Sequence, residues 1–166
     1  MTSLFSVGYG SENRERYINS LLENDPTIAL ILASVHFEWT IKRAILTLSS
    51  APSKSLREKL ESTYLLLSNN KLVGLDEIWH QEVGISIKNA SFDKIIGNLT
   101  LILGEGGAKS LRGKIIHGNG TISKAVAREA VSSYFVACEN IRKLAKRNGK
   151  NLDQKLRPRS NRKITI

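Results

Sequence analysis

The sequence contains little of what secreted and membrane proteins depend on. Cys138 is the one cysteine among 166 residues, so no disulfide can form within the chain, and we expect a reducing, cytoplasmic setting. The N-terminal residues lack the basic segment and apolar run of a secretory signal. No stretch reaches the roughly 18–20 apolar residues that a membrane helix needs, so we expect no membrane partner.

Signals for β-strands are scarce as well. No turn dipeptide separates two alternating runs, as a β-hairpin would require, and the chain has only three prolines. Apolar residues instead recur at steps of three and four, which is typical of amphipathic helices. The sequence therefore predicts an all-α fold, with a four- to five-helix bundle over residues 1–149 and a basic, extended tail over residues 150–166.

Two long segments carry the clearest helical signals. The first, residues 26–49, follows Asp25 as a candidate N-cap, opens with Pro26, and should end before Pro52. The second covers residues 121–147. The side chains predicted to face the core from these two helices are Ile28, Ile31, Leu32, Val35, Trp39, Ile45 and Leu48, then Ile122, Val126, Ala130, Tyr134, Cys138, Ile141 and Ala145.

Positive charge is concentrated at one end of the chain. Residues 1–141 hold fifteen basic and fourteen acidic side chains, whereas residues 142–166 hold ten basic and one acidic, which is +9 of the total +10. A basic segment on a neutral body favours binding to a polyanion, of which RNA is the simplest candidate. The cations expected to contact RNA are Lys109, Lys114, Lys146, Arg147, Lys150, Arg157, Arg159, Arg162 and Lys163.

One short stretch, KSLRGKIIHGNGT at 109–121, combines residues that suit phosphate chemistry. Arg112 and His117 lie five positions apart, which is about 140° around a helix, so both side chains reach one place only near a helix end. Gly118 and Gly120 predict such an end directly after the histidine. An arginine that holds an anion beside a histidine that transfers protons is the minimum for metal-free phosphodiester cleavage, although the pair is also compatible with a structural role.

The string LRGKIIHG, residues 111–118, resembles the motif of the HEPN superfamily. In that family an arginine precedes a histidine by four to six positions, just before the last long helix of a helical bundle. The resemblance implies a metal-independent endoribonuclease that is active as a homodimer. It implies that Arg112 stabilises charge on the phosphate, that His117 is the general acid or base, and that the RNA 2′-OH is the nucleophile. It also implies a role in toxin–antitoxin systems or antiviral defence, with an antitoxin or defence-complex protein as a possible partner.

Two further polar residues are expected to support this site. Glu38 lies in the middle of an apolar helix, where a carboxylate needs a partner, and it could pair with Lys42 or orient Arg112 from a facing helix. Asn119 follows the motif histidine in the predicted turn. His80 has acidic neighbours but no second histidine one turn away, so we expect no metal, and the chain offers no phosphate-binding glycine loop for a nucleotide cofactor.

Two functions of other classes remain open at this point. The first is a HEPN-like module that binds nucleic acid or a nucleotide without catalysis, within a larger complex. The second is a small helical regulator whose basic tail contacts DNA, with Arg112 and His117 in structural roles. Cleavage of RNA that depends on His117 would separate the ribonuclease from both alternatives.

Overall fold

The computed structural model describes residues 4–5, 10–50, 54–63, 74–97, 101–102, 105–118 and 120–154, and these residues contain no strand. The predicted all-α class is therefore confirmed for this part of the chain. The helices are α1 (Ser11–Leu21), α2 (Pro26–Leu48), α3 (Lys54–Ser62), α4 (Leu75–Trp79), α5 (Phe92–Ile96), α6 (Ala108–Ile116) and α7 (Lys124–Arg147), with a π-helical turn (His80–Gly84) after α4. None of the helices in the described ranges combines the length and apolar character needed to cross a membrane.

Helix α2 lies at the centre of the bundle. Its most extensive packing is against α7, and α1, α3, α4 and α6 also contact it. Many of the buried positions on both helices are alanines, which allow two helix backbones to approach closely. The buried alanines are Ala29, Ala33 and Ala44 on α2, and Ala127, Ala130, Ala137 and Ala145 on α7. The contact between α2 and α7 therefore forms the main part of the core.

The predicted ends of the two long helices are largely confirmed. The Asp25 carboxylate accepts a hydrogen bond from the backbone N–H of Ile28 at 3.0 Å, with Pro26 as the first helical residue, so this N-terminus is capped as expected. Helix α7 ends at Arg147 as predicted, but it begins at Lys124, three residues later than expected, because the Ser123 hydroxyl caps the backbone N–H of Val126.

The predicted inward face of α2 is mostly wrong, because only Ile45 and Leu48 of its seven predicted residues are buried. Ile28 is 42% exposed, and Ile31, Leu32, Val35 and Trp39 are only half-buried. The residues that α2 buries are Ala29, Leu30, Ala33, Ser34, His36, Phe37, Thr40, Ile41, Ala44, Ile45 and Leu48. The helix is apolar on nearly every side, so large apolar residues do not identify its inner face, and its packing in the bundle decides which residues are buried. On α7, Val126 is likewise exposed and Ala127 is buried.

The packed body extends beyond residue 149. Leu152 is only 3% exposed, its carbonyl accepts a hydrogen bond from Arg43 Nε at 2.9 Å, and the Asp153 carboxylate accepts one from Ser11 at 2.9 Å. The start of the basic segment is therefore part of the folded bundle. The prediction of an extended tail over residues 150–166 is therefore wrong for Leu152 and Asp153, whereas residues 155–166 lie outside the described residues.

Candidate active site

Helix α6 ends where the sequence predicts that it should. His117 occupies the C-cap position, and its backbone N–H donates to the Gly113 carbonyl at 3.1 Å. Gly118 follows with φ of 70°, a left-handed conformation that favours glycine, and its N–H donates to the Ile115 carbonyl at 3.0 Å. The glycine therefore closes the helix and leaves the His117 side chain exposed at its end.

The Arg112 side chain is half-buried on α6. Its Nε atom is fully buried, yet within the described residues it makes no hydrogen bond. Burial raises the pKa of Tyr134 on α7 to about 12, and the hydroxyl of Ser34 on α2 and the positive charge of Arg112 oppose that rise. Arg112 thus lies near Tyr134, on the side of α6 that packs against α2 and α7.

Glu38 contributes negative charge to this side of α6. It is half-buried on α2, and its charge opposes the lowering of the Lys109 pKa, which results mainly from burial. Glu38 also raises the pKa of Tyr134, in addition to the larger effect of burial. The structure therefore places Glu38 within electrostatic range of the residues around Arg112, while Asn119 lies outside the described residues.

Arg112 and His117 are not joined within one chain. No hydrogen bond links their side chains, and the backbone rise over five helical residues is about 7.5 Å. Neither side chain forms an ion pair with any described residue, so both are available to a ligand. The arrangement supplies an anion-binding cation and, at a distance, an exposed group for proton transfer.

The remaining cations predicted to bind RNA differ in exposure. Lys109 is half-buried, whereas Lys114 on the same helix is exposed. Lys146, Arg147 and Lys150 are also exposed. The other predicted contacts, Arg157, Arg159, Arg162 and Lys163, lie outside the described residues.

A buried polar network on the other side of α2 was not expected from the sequence. The Arg14 side chain is fully buried, stacks over Trp39 at 4.0 Å, and donates from Nη2 to Asp153 at 3.0 Å. Its Nε donates to His36 Nδ1 at 3.2 Å. Because Nδ1 accepts, the proton of the neutral ring resides on Nε2, which donates to Glu15 at 3.2 Å. These residues are distant in the sequence, so no local spacing could have indicated the network.

Three potential metal ligands meet in this network, but their chemistry does not favour a cation. Ligand atoms of Glu15, His36 and Cys138 lie within 4.8 Å of one another. Both ring nitrogens of His36 are engaged, however, and burial raises the pKa of Cys138 to about 12, which disfavours the thiolate. The Arg14 guanidinium donates to the His36 ring, and the Arg142 guanidinium pairs with the Glu15 carboxylate. We therefore assign this cluster a structural role.

A groove of about 790 Å³ between α1 and α7 is balanced in charge. Glu23 pairs with Lys124 and with Arg128, the latter at 2.7 Å. Arg142 pairs with Glu15 at 2.6 Å and with Glu139 at 2.9 Å. Because its charges neutralise one another, this groove lacks the unpaired cations that a polyanion would require.

Comparisons with protein-family models, with curated proteins and with solved structures gave no match to this chain.

Proposed function

We propose that the protein is a metal-independent endoribonuclease of the HEPN type, with Arg112 and His117 in its active site. The observation that carries the proposal is the state of these two side chains. Arg112 is half-buried with a buried Nε that has no partner among the described residues, on a helix whose end exposes His117. A sheltered, unpaired guanidinium is the group expected where a phosphate binds.

The proposed reaction needs no group beyond the RNA and the side chains of the site. The 2′-OH attacks the adjacent phosphorus and forms a new P–O bond, while the bond to the 5′-oxygen of the next nucleotide breaks. His117 takes the proton from the 2′-OH or supplies one to the leaving oxygen. Arg112 stabilises the negative charge that collects on the phosphorane oxygens. The products are a 2′,3′-cyclic phosphate and a 5′-hydroxyl, and DNA is inert because it lacks the nucleophile.

A homodimer completes this proposal. Within one chain no hydrogen bond joins the side chains of Arg112 and His117, whereas a two-fold axis beside α6 would bring two copies of each residue to one cleft. The second histidine would then supply the proton that the first one cannot. The setting implied by the resemblance, toxin–antitoxin control or antiviral defence with a restraining partner protein, belongs to the same proposal.

Substitution of the two residues tests the activity. Arg112→Ala and His117→Ala should each lower cleavage of single-stranded RNA at least ~100-fold, the scale for losing a charge stabiliser or a general acid–base group. His80→Ala is the matched control, because His80 is also exposed but lies on the π-helical turn after α4. Cleavage should persist in EDTA, and the 5′ fragment should end in a cyclic phosphate.

Mixing the two inactive variants tests the shared site. Heterodimers of Arg112→Ala with His117→Ala should regain part of the activity if each chain contributes one intact residue to the cleft. Strict dependence on a divalent metal, or full activity in either single variant, would contradict the proposal. A monomer by light scattering that still cleaves RNA would contradict the dimer alone.

A non-catalytic HEPN-like binding module is the second candidate, and Gly113 favours it. Members of the family often have a polar residue directly after the motif arginine, where this chain has glycine. A Cβ atom added at Gly113 would meet nothing within 4 Å, so the fold leaves room for the missing side chain. RNA binding by the purified protein without cleavage would favour this candidate.

A further inference from the structure

Two cations of α6 lie together on its sheltered side. Lys109 and Arg112 are three positions apart, which places them on one face of the helix, and both are half-buried. Burial lowers the pKa of Lys109, and the charge of Arg112 adds to this effect, while Glu38 and Asp76 oppose it. The two side chains therefore lie close enough for their like charges to interact.

Neither cation is paired with a carboxylate in the part of the chain that the structure describes. Within the described residues, Lys109 and Arg112 form no ion pair and no side-chain hydrogen bond, and Arg112 Nε is buried without a partner. Glu38 is the nearest source of negative charge on α2 that affects Lys109, and it has other interactions of its own. Two sheltered like charges without a counter-ion are unfavourable in a folded protein.

The other buried or half-buried arginines among the described residues each donate to an acceptor within the chain. Arg14 donates to Asp153 at 3.0 Å, and Arg142 pairs with two carboxylates. Arg43, also half-buried, donates to the carbonyl oxygens of Leu152 and Gln154. The bundle thus provides an acceptor for each of these guanidinium groups, and Lys109 and Arg112 depart from that pattern.

We propose that Lys109 and Arg112 together bind one oxyanion, a phosphate group, on the inner face of α6. The guanidinium would hold two phosphate oxygens through its planar donors, and the Lys109 ammonium would contact a third. That this phosphate is the scissile group of RNA rests on the proposed function, whereas the existence of the anion site rests on the unpaired cations alone. Lys109 would then share charge stabilisation with Arg112, while the exposed Lys114 would only add diffuse attraction.

Inorganic phosphate is the probe for the site itself. The full chain, labelled with ¹⁵N, is titrated with phosphate at constant ionic strength in potassium chloride, and amide shifts are followed by NMR. We expect saturable shifts centred on α6 and on the facing part of α2. Lys109→Gln and Arg112→Gln should each weaken phosphate binding at least ~10-fold, the effect of losing one charge-assisted contact. Lys94→Gln, at an exposed lysine on α5 outside the proposed RNA contacts, is the control and should leave phosphate binding unchanged, whereas Lys109→Arg should retain it.

Equal phosphate affinities in Lys109→Gln and Lys94→Gln, with circular dichroism showing both folded, would overturn the anion site. So would shifts that chloride reproduces at the same ionic strength. A second arm measures RNA cleavage: Lys109→Gln should lower kcat, whereas Lys94→Gln should leave kcat unchanged. Phosphate binding without cleavage by the wild-type chain would contradict the proposed function and leave the anion site standing. RNA cleavage by the wild-type chain with an unchanged kcat in Lys109→Gln would leave the proposed function standing and contradict the role of Lys109 in charge stabilisation.

Discussion

His36 is held in one tautomer by two fixed partners. Arg14 donates to its Nδ1, and its Nε2 donates to Glu15, so a second proton at Nδ1 would meet the Arg14 donor directly. Burial lowers the pKa of His36, and the charges of Arg14 and Arg142 add to that effect, while Glu15 opposes it. At the scale of the residue, this histidine is neutral in the folded protein.

The network predicts a specific pH dependence of stability. Below the ordinary histidine pKa of 6.5, the unfolded chain binds a proton at His36 that the folded protein does not. The free energy of unfolding should therefore fall as the pH decreases from 6.5, with a slope of at most about 1.4 kcal/mol per pH unit. Glu15, whose folded pKa lies below 4.5 despite the opposing effect of burial, loses its contribution only at lower pH.

Urea unfolding at pH 7.5, 6.5 and 5.5 measures this slope. His36→Gln should flatten it, whatever its effect on stability at pH 7.5, because the titrating group is gone. His80→Gln is the control, since His80 is exposed, and it should retain the wild-type slope. A wild-type protein equally stable at pH 6.5 and 5.5 would contradict the assignment.

At the scale of the element, α1 is held to the bundle by a polar contact as well as by apolar packing. Ile18 and Arg14 are both fully buried on this helix, and Arg14 bridges His36 on α2 and Asp153 after α7. The helix has only 11 residues, so its own hydrogen bonds stabilise it little in isolation. Its position depends on this bridge.

Replacing Arg14 should therefore destabilise the whole domain. Arg14→Met preserves apolar bulk but leaves the Asp153 carboxylate and His36 Nδ1 without their donor, which should cost about 2–4 kcal/mol in denaturant unfolding. Arg16→Met on the exposed side of α1 should change stability by no more than ~0.5 kcal/mol. Equal effects of the two substitutions would show that the bridge does not stabilise the fold.

The elements also show what the sequence could predict. The start of α2 was predictable because Asp25 and Pro26 act locally, and the end of α6 was predictable because Gly118 must adopt a left-handed conformation. The inner face of α2 was not, because the helix is apolar on nearly all sides and only its partner α7 decides which residues are buried. Hydrophobic periodicity carries no information in such a helix.

The candidate site was also predictable from the sequence only in part. The residues of the motif predicted a helix that ends at His117, with Arg112 five positions earlier. The sequence did not distinguish Lys109 from Lys114, which lie on either side of the arginine. The packing of α6 on α2 shows that Lys109 is half-buried and Lys114 is exposed. The network through Arg14 joins residues separated by up to 139 positions, so no short-range pattern could reveal it.

At the scale of the whole molecule, the basic segment consists of an anchored part and a part beyond the described residues. Leu152 and Asp153 are packed on the bundle, next to α1 and α2. Five of the ten cations in 142–166 lie after Gln154, in residues 155–166. Removal of the two parts should therefore have different effects.

Two truncations separate affinity from stability. A chain that ends at Gln154 should bind RNA more weakly, with a flatter dependence of log affinity on log salt, because five cations are lost. Its stability and its cleavage rate at saturating RNA should be unchanged.

A chain that ends at Gly149 should also unfold more readily, since it loses buried Leu152 and the Asp153 partner of Arg14. Fluorescence anisotropy measures the RNA affinity, and urea unfolding measures the stability. Loss of cleavage in the chain that ends at Gln154 would place the tail in the active site.

The pairing of α2 with α7 also has a consequence for how the chain folds during its synthesis. Helix α2 is made early, yet its main partner, residues 124–147, follows only after residues 49–123 have been translated. Until then the apolar surface of α2 has no permanent cover, and chains that emerge together can associate through it. The nascent protein therefore depends on α7 to complete its core, and chaperone binding to stalled chains should decrease sharply once α7 has left the ribosome.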